Sequence, residues 1–193
     1  MTSRFFAHRR RCIALGLSLP LAFAYAQPLS DGSGVTAPPL PKAALADAPS
    51  LKALGGGLLR SFGFQIYNVY LWTPHGAPFD RSKPHALDVH YLRNFTAKQL
   101  AERSIDEMRA QGVGHDGVYG QWIAEMQRVL ADVKDGDRLT GVVTPTRSAK
   151  FFHNGRYRGE IVDPAFTDAF FGIWLGEKTS QPRMRDQLLG KIE

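Results

Sequence analysis

The sequence contains a single cysteine, Cys12, so it has no pair of thiols for an internal disulfide and no cysteine-based zinc pattern. It has no second long apolar run: after residues 12–23, no segment approaches the roughly 20 apolar residues that a membrane-spanning helix needs. It also lacks a G-x-S-x-G nucleophile elbow, an H-E-x-x-H metal motif and a phosphate-binding loop. These absences argue against disulfide scaffolds, multi-span membrane proteins and several large enzyme classes.

Three glycines, Gly112, Gly114 and Gly117, do spell G-x-G-x-x-G, but a predicted helix precedes them. A dinucleotide-binding loop must follow a strand, because it presents the N-terminus of the next helix to a pyrophosphate. We therefore interpret these glycines as a connection between helices. The six histidines do not gather at metal-ligand spacing. We predict neither a metal site nor a cofactor.

The N-terminus has the pattern of a secretory signal peptide. Four arginines precede the apolar run 12–23, and Ala24-Tyr25-Ala26 follows it as a small-x-small cleavage site. We predict a signal peptide over residues 1–26, cleavage after Ala26, Sec-type export and a periplasmic or secreted mature protein. Because the run is too short to span a bilayer, we expect no stable membrane insertion after cleavage. The Arg10-Arg11 pair leaves twin-arginine export open.

Much of the positive charge belongs to this N-terminal segment. The whole sequence has 24 Lys and Arg against 18 Asp and Glu, a formal net charge of +6. Loss of the four signal-peptide arginines leaves 20 basic residues and a net charge of +2. A nucleic-acid-binding protein needs a basic patch in its mature form, so we expect no nucleic-acid partner.

The mature chain divides into a linker and one domain. Residues 27–47 are rich in proline and small residues without hydrophobic periodicity, which predicts a Pro-rich flexible linker with at most a short ordered segment near Leu45. Residues 48–193 have the length of one domain with one core. The oligomeric state stays open.

Hydrophobic patterns predict that strands and helices follow one another in blocks. Residues 58–72 are dense in aromatic and β-branched residues and are interrupted at 61–63, which predicts a hairpin or a bent pair of strands. An Asn154-Gly155 turn predicts a second hairpin. The other predicted strands are 87–91, 139–144, 149–153 and 156–161. Successive strands joined by tight turns favour an antiparallel sheet and an α+β fold.

Four helices are predicted from caps and from the 3.6-residue period. A capping box of Thr96 and Gln99 begins the first helix, and Asp163-Pro164 provides an N-cap and a first-turn proline for the third. The predicted ranges are 97–111, 118–133, 164–170 and a short helix before Gly190. Asp135-Gly136-Asp137 is expected to end the second helix.

One charged residue interrupts an apolar stretch. Arg60 lies within Leu-Leu-Arg-Ser-Phe-Gly-Phe over residues 58–64, where a guanidinium directed inward needs an anionic or strongly polar partner. The alternative is a solvent-facing arginine at the end of a hairpin.

Motifs in consistent order between residues 50 and 190 resemble a known family. Residues 55–60 (GGGLLR) and 64–72 (FQIYNVYLW) resemble the glycine-Arg turn and following strand of chalcone isomerase-like proteins. Residues 136–139 (GDRL), 151–155 (FFHNG) and 171–176 (FGIWLG), with Arg185 and 188–190 (LLG), resemble the bacterial, secreted branch. The resemblance implies an α+β open-faced sandwich, in which helices cover one face of a large antiparallel sheet and an apolar cleft lies between the layers.

The resemblance also implies roles for particular residues. In plant isomerases the arginine that matches Arg60 polarises a ketone or aligns a phenolate, whereas in fatty-acid-binding relatives this arginine and a strand tyrosine clamp a carboxylate. Tyr67 matches that tyrosine. Trp174, with Trp122 and Met126, is a candidate wall of the cleft, the alternative being ordinary core packing.

Two departures weaken the likeness to the isomerases. Leu100 lies at or near the place of their helix tyrosine and offers no hydrogen-bond donor, and Glu107 lies near their substrate-holding amide. We therefore expect a module that binds a small apolar or amphipathic anion, such as a fatty acid, through Arg60 and Tyr67. An isomerase or intramolecular lyase acting on an enone-like substrate through Arg60 and Tyr67 is one alternative. A non-catalytic structural or interaction protein with a filled cleft is the other.

The spacing of Arg60 and Tyr67 sets a geometric condition on a shared site. Seven positions is an odd separation, so in one uninterrupted strand the two side chains point to opposite faces. They share a site only if the chain reverses or bulges at residues 61–63.

Overall fold

The computed structural model describes residues 37–46 and 48–192. The predicted signal peptide over residues 1–26 lies outside this range, as does the first part of the predicted linker. Within the described range the chain forms six strands and four helices. In chain order they are β1 (Leu51–Ser61), β2 (Phe64–Pro74), β3 (His85–Tyr91), α1 (Ala97–Ala110), α2 (Asp116–Val129), β4 (Arg138–Val143), β5 (Ala149–His153), β6 (Arg156–Ile161), α3 (Pro164–Leu175) and α4 (Pro182–Leu188).

The strands form one antiparallel sheet in the order β1-β2-β3-β4-β5-β6, so each strand pairs with its neighbour in sequence. The predicted α+β fold with an antiparallel sheet is confirmed. Two-residue turns close two of the hairpins: Phe62-Gly63 between β1 and β2, and Asn154-Gly155 between β5 and β6. Positive φ angles at both residues of each turn suit the right-handed twist of the strands.

The first strand begins earlier than predicted and contains the glycine run. The resemblance implied a turn at residues 55–60, but Gly55, Gly56 and Gly57 lie inside β1. They are required there by close packing. A Cβ atom on Gly55 would lie 2.2 Å from the main-chain oxygen of Gln187 in α4. The glycines therefore let α4 pack directly on the strand backbone, where a side chain would hold it away.

The first and third helices begin at their predicted caps, and the second begins at Asp116, before the predicted residue 118. The second and third helices end elsewhere than predicted. The side chains and backbone of Thr96 and Gln99 form the predicted capping box of α1. The second helix ends at Val129, before the predicted stop, because Val133 pairs with Phe95 in an isolated β-bridge. The third continues past the predicted Phe170 to Leu175.

Apolar side chains on the two faces of the sheet belong to two separate cores. The larger core joins the sheet to the helices and includes Val69, Leu71 and Leu87. On the opposite face, Trp72 and neighbouring strand residues pack against the segment before β1. Ala37, Leu40, Ala44 and Ala48 of that segment are buried. The described part of the predicted flexible linker therefore packs on the sheet.

Two buried polar groups lie outside the candidate site. Asp88 in β3 has no exposed surface; it accepts hydrogen bonds from Arg138 and Thr140, each at 2.7 Å, and is paired with His90. Burial opposes its ionisation, but hydrogen bonds from His90 and Arg138 outweigh that effect and hold the Asp88 pKa below its usual value. His85 is 4% exposed, and its Nδ1–H donates to the Lys83 oxygen at 2.8 Å. Burial lowers the pKa of His85 to about 4.

Candidate functional site

A cavity of about 680 Å³ lies between the sheet and the helices. Its walls come from β1 to β5, from α1, α3 and α4, and from the segment that leads into α4. Most of the lining is apolar: Leu59, Phe62, Ile66, Leu87, Val89, Phe95, Leu100, Leu130, Leu139, Phe151, Phe170, Ile173, Trp174 and Met184. The side chains of the described residues therefore leave this cleft open.

Arg60 and Tyr67 line this same cavity. The chain both reverses and bulges between them: the turn at Phe62-Gly63 reverses it, and a register shift follows the pairing of Leu59 with Tyr67. Arg60 pairs with Gln65, so Ile66 is the extra residue of the bulge. The geometric condition for a shared site is met.

The two side chains lie at different depths. Arg60 is exposed, whereas Tyr67 is largely inside the protein. Within the described chain, Arg60 has no hydrogen-bond or ion-pair partner. Its guanidinium is therefore available to an anion at the mouth of the cavity.

The Tyr67 hydroxyl is oriented by Trp174. The indole Nε1–H of Trp174 donates to the Tyr67 oxygen at 3.0 Å, so the Tyr67 proton remains to be donated to something else. Burial raises the pKa of Tyr67 to about 12, and the hydrogen bond from Trp174 opposes that rise. At neutral pH Tyr67 is a neutral donor beside apolar walls.

Trp174 lines the cavity, whereas Trp122 and Met126 do not belong to its walls. Both are buried in the helix-side core, and the Trp122 indole donates to the Asp163 carboxylate at 3.0 Å. Their alternative interpretation as core residues is therefore correct. Trp174 is positioned because α3 continues beyond the predicted end of the helix.

Sequence reasoning missed Tyr91 as a cavity residue. Its ring meets that of Tyr67 edge to face, with centroids 5.9 Å apart, because Tyr67 and Tyr91 are register partners on β2 and β3. Its hydroxyl has no hydrogen-bond partner in the described residues, and burial raises its pKa well above the usual value. The alternation of Leu87, Val89 and Tyr91 was the available signal, since it places all three on one face.

A charged pair on α1 lies in the same wall. Arg103 donates to the Glu107 carboxylate one turn away, and Glu107 is 8% exposed. The other carboxylate oxygen of Glu107 is buried without a partner in the described chain. Glu107 therefore neutralises Arg103 and leaves Arg60 as the unpaired cation among the arginines that line the cavity.

Neither a metal-binding cluster nor a membrane-spanning helix is found in the part of the chain that the structure describes. No three His, Cys, Asp or Glu side chains converge there as ligands. No helix there combines the length and the hydropathy that crossing a membrane demands.

Comparison with known proteins agrees with the architecture. An uncharacterized protein of Haemophilus influenzae is 29% identical over 130 residues, which cover 67% of this chain and 63% of that relative. The crystal structure of a fatty-acid binding protein of Arabidopsis thaliana superposes with a TM-score of 0.59 at 10% identity, over 73% of this chain and 87% of the other, and so shares the fold. The chalcone isomerase-like family matches residues 33–190. The chain belongs to the chalcone isomerase-like family.

Proposed function

We propose that this protein binds a small amphipathic acid, such as a fatty acid, in the cavity between its sheet and helices. Arg60 and Tyr67 hold the carboxylate, and Trp174 forms part of the wall. The observation that carries the proposal is an open apolar cavity with an unpaired guanidinium at its mouth and an oriented phenol further in. The fold shared with a fatty-acid binding protein supports it.

The chemistry of the lining suits such a ligand. An arginine forms charge-assisted hydrogen bonds with a carboxylate, and the Tyr67 proton supplies one more. The apolar walls then gain free energy in proportion to the area of acyl chain that they cover, about 0.8 kcal/mol for each buried CH₂. Polar groups that fix orientation and apolar walls that supply affinity are the usual composition of a small-molecule site.

Native mass spectrometry of the purified protein, followed by titration with long-chain fatty acids, tests this function. Arg60→Ala is expected to weaken binding about tenfold, the equivalent of one charge-assisted hydrogen bond. Tyr67→Phe removes a donor and keeps the ring, so we expect a smaller loss. Arg158→Ala is the matched control, because Arg158 is an exposed arginine on β6 that does not line the cavity. Failure of the wild type to bind any acid saturably would refute the proposal.

A second candidate function is an intramolecular lyase or isomerase acting on an enone. The observation that favours it is the Tyr91 hydroxyl, a second phenol in the same cavity. Such a reaction needs a proton donor close to the reacting atoms, which either tyrosine could supply. Loss of the enone absorbance of a hydroxylated chalcone on incubation with the protein, abolished by Tyr91→Phe, would establish this activity. Absence of turnover at high protein concentration would exclude it for that substrate.

We also propose that the mature protein is periplasmic or secreted and begins after Ala26. The support is the arginine-rich start, the apolar run and the small-x-small site in the sequence. N-terminal analysis of the protein recovered from cell fractions tests this. Retention of residues 1–26 on a cytoplasmic product would contradict it.

A further inference from the structure

The tip of the β1–β2 hairpin exposes two phenylalanines, one of which lies at the mouth of the cavity. Phe62 is 99% exposed and Phe64 is 57% exposed. Phe62 also lines the cavity, so the exposed aromatic surface is continuous with the mouth. We call the set of Arg60, Phe62, Phe64 and Arg93 the aromatic tip.

The stability of the turn does not explain why residue 62 is a phenylalanine. Phe62 and Gly63 have φ angles of 48° and 80°, and at the first of these a bulky side chain is unfavourable. Asn-Gly is the preferred pair for such a turn, and this sheet uses it at Asn154-Gly155, with φ angles of 48° and 77°. Phe62 thus occupies an unfavourable conformation and buries almost nothing. We interpret the exposed Phe62 side chain as one that contacts an apolar phase outside the protein.

The charges of the aromatic tip are positive. The Arg93 guanidinium lies 4.6 Å from the centre of the Phe64 ring, and both Arg93 and Arg60 are exposed. No acidic residue occurs between Leu58 and Asn68. Exposed aromatic rings beside arginines that have no acidic partner among the described residues complement a surface with anionic groups above an apolar interior. That is the chemistry of an anionic phospholipid bilayer.

We propose that the aromatic tip docks on an anionic phospholipid bilayer and that the ligand passes between the bilayer and the cavity at this point. The Phe62 ring enters the headgroup layer while Arg60 and Arg93 contact lipid phosphates. This contact is peripheral and needs no spanning helix. The identity of the passing ligand rests on the proposed function; the docking itself does not.

Co-sedimentation with vesicles tests the docking. The purified protein is mixed with vesicles of equal parts phosphatidylglycerol and phosphatidylcholine, and separately with phosphatidylcholine alone. We expect wild type to partition onto the anionic vesicles and to be released by salt. Phe62→Asn is expected to lower the partition about tenfold, because the transfer of one phenylalanine side chain is lost. Its melting temperature should stay equal or rise, because asparagine suits the turn.

Val162→Asn is the matched control, because Val162 is 80% exposed and does not line the cavity. It should leave the partition unchanged. Wild type that stays in the supernatant, or Phe62→Asn that sediments like wild type, would overturn the proposal. Phe62-dependent capture of a protein partner without any vesicle partition would overturn it as well. Titration of wild type with a dissolved fatty acid separates the two proposals, since it reports on the cavity and not on docking.

Discussion

Replacing Gly55 with alanine tests whether the glycine run of β1 exists to let α4 pack on the strand. The added Cβ atom would lie 2.2 Å from the Gln187 oxygen and 2.4 Å from the Leu188 oxygen. Both oxygens belong to the main chain of α4, so no side-chain rotation relieves the contact. The helix must move away from the strand, and it carries Met184 of the cavity wall.

The expected cost follows from the two contacts. Forcing one extra carbon into a packed interior costs about 1–3 kcal/mol, and two main-chain contacts place Gly55→Ala at the upper end, about 3 kcal/mol. That is a large share of the roughly 5–15 kcal/mol that stabilises a domain. Gly120→Ala is the opposite case. Gly120 lies in α2 and an added Cβ meets no atom within 4 Å, so the substitution should stabilise by about 0.5–1 kcal/mol.

Urea unfolding followed by circular dichroism measures both variants. Gly55→Ala should lower the midpoint and Gly120→Ala should raise it, with similar slopes if both remain two-state. A Gly55→Ala protein within about 0.5 kcal/mol of wild type would refute the packing argument, since that is the range of ordinary surface changes.

Three other predictions concern buried titratable groups, each measured by urea unfolding. Asp88→Ala should lower the free energy of unfolding by about 3–5 kcal/mol, because the Arg138 guanidinium loses its buried partner. Asp116→Ala is the control and should change stability little, because the Asp116 side chain is 96% exposed. Equal effects of the two substitutions would contradict this prediction. The pKa of His85 is lowered from 6.5 to about 4 in the folded protein, so the unfolded chain binds a proton at His85 more tightly than the folded chain does. The neutral, buried His85 therefore contributes about 3 kcal/mol of stability above pH 6.5, and this contribution is lost as the pH falls toward 4. His85→Phe should flatten that dependence, and an unchanged slope would disprove the assignment. The Tyr67 pKa is raised from 10.0 to about 12, so the contribution of the neutral phenol to stability is complete below pH 10 and is lost as the pH rises toward 12. The Tyr67→Phe protein should therefore lose less stability between pH 10 and pH 12 than wild type does.

The sequence predicted elements best where local signals define both ends. The β5–β6 hairpin matches because Asn154-Gly155 specifies its turn, and the start of α1 matches because Thr96 and Gln99 form a local capping box. The starts and ends that differ depend on distant partners. The second helix ends early because Val133 pairs with Phe95, and β1 begins early because its first residues pair with the end of β2. No local pattern contains those contacts.

In the candidate site, too, local features were predictable from the sequence and contacts between distant residues were not. Arg60 was identifiable because a charged residue interrupts an apolar stretch, and the resemblance added Tyr67. The position of Tyr91 beside Tyr67 depends on the register between β2 and β3. Arg103 and Glu107 are one turn apart on α1, so their pairing is local, but the presence of this pair in the cavity wall depends on how α1 lies over the sheet. Residue types and their spacing predicted which side chains could bind an anion. They could not say which cation would remain free, because that depends on where Glu107 lies.

The different depths of Arg60 and Tyr67 constrain how the cavity can hold an acid. A guanidinium that is exposed at the mouth attracts anions from outside, but solvent weakens each contact that it makes. A phenol with a pKa near 12 stays protonated and gives a directed hydrogen bond in an apolar setting, where an unpaired polar group is costly. A carboxylate that reaches both groups must lie at the boundary between solvent and cavity, with its apolar tail inside. A neutral enone bound deeper in the cavity, beside Tyr67, would not use the exposed Arg60 guanidinium in the way that a carboxylate at the boundary would. The exposure of Arg60 is therefore the reason that we propose binding as the first candidate function and isomerisation as the second.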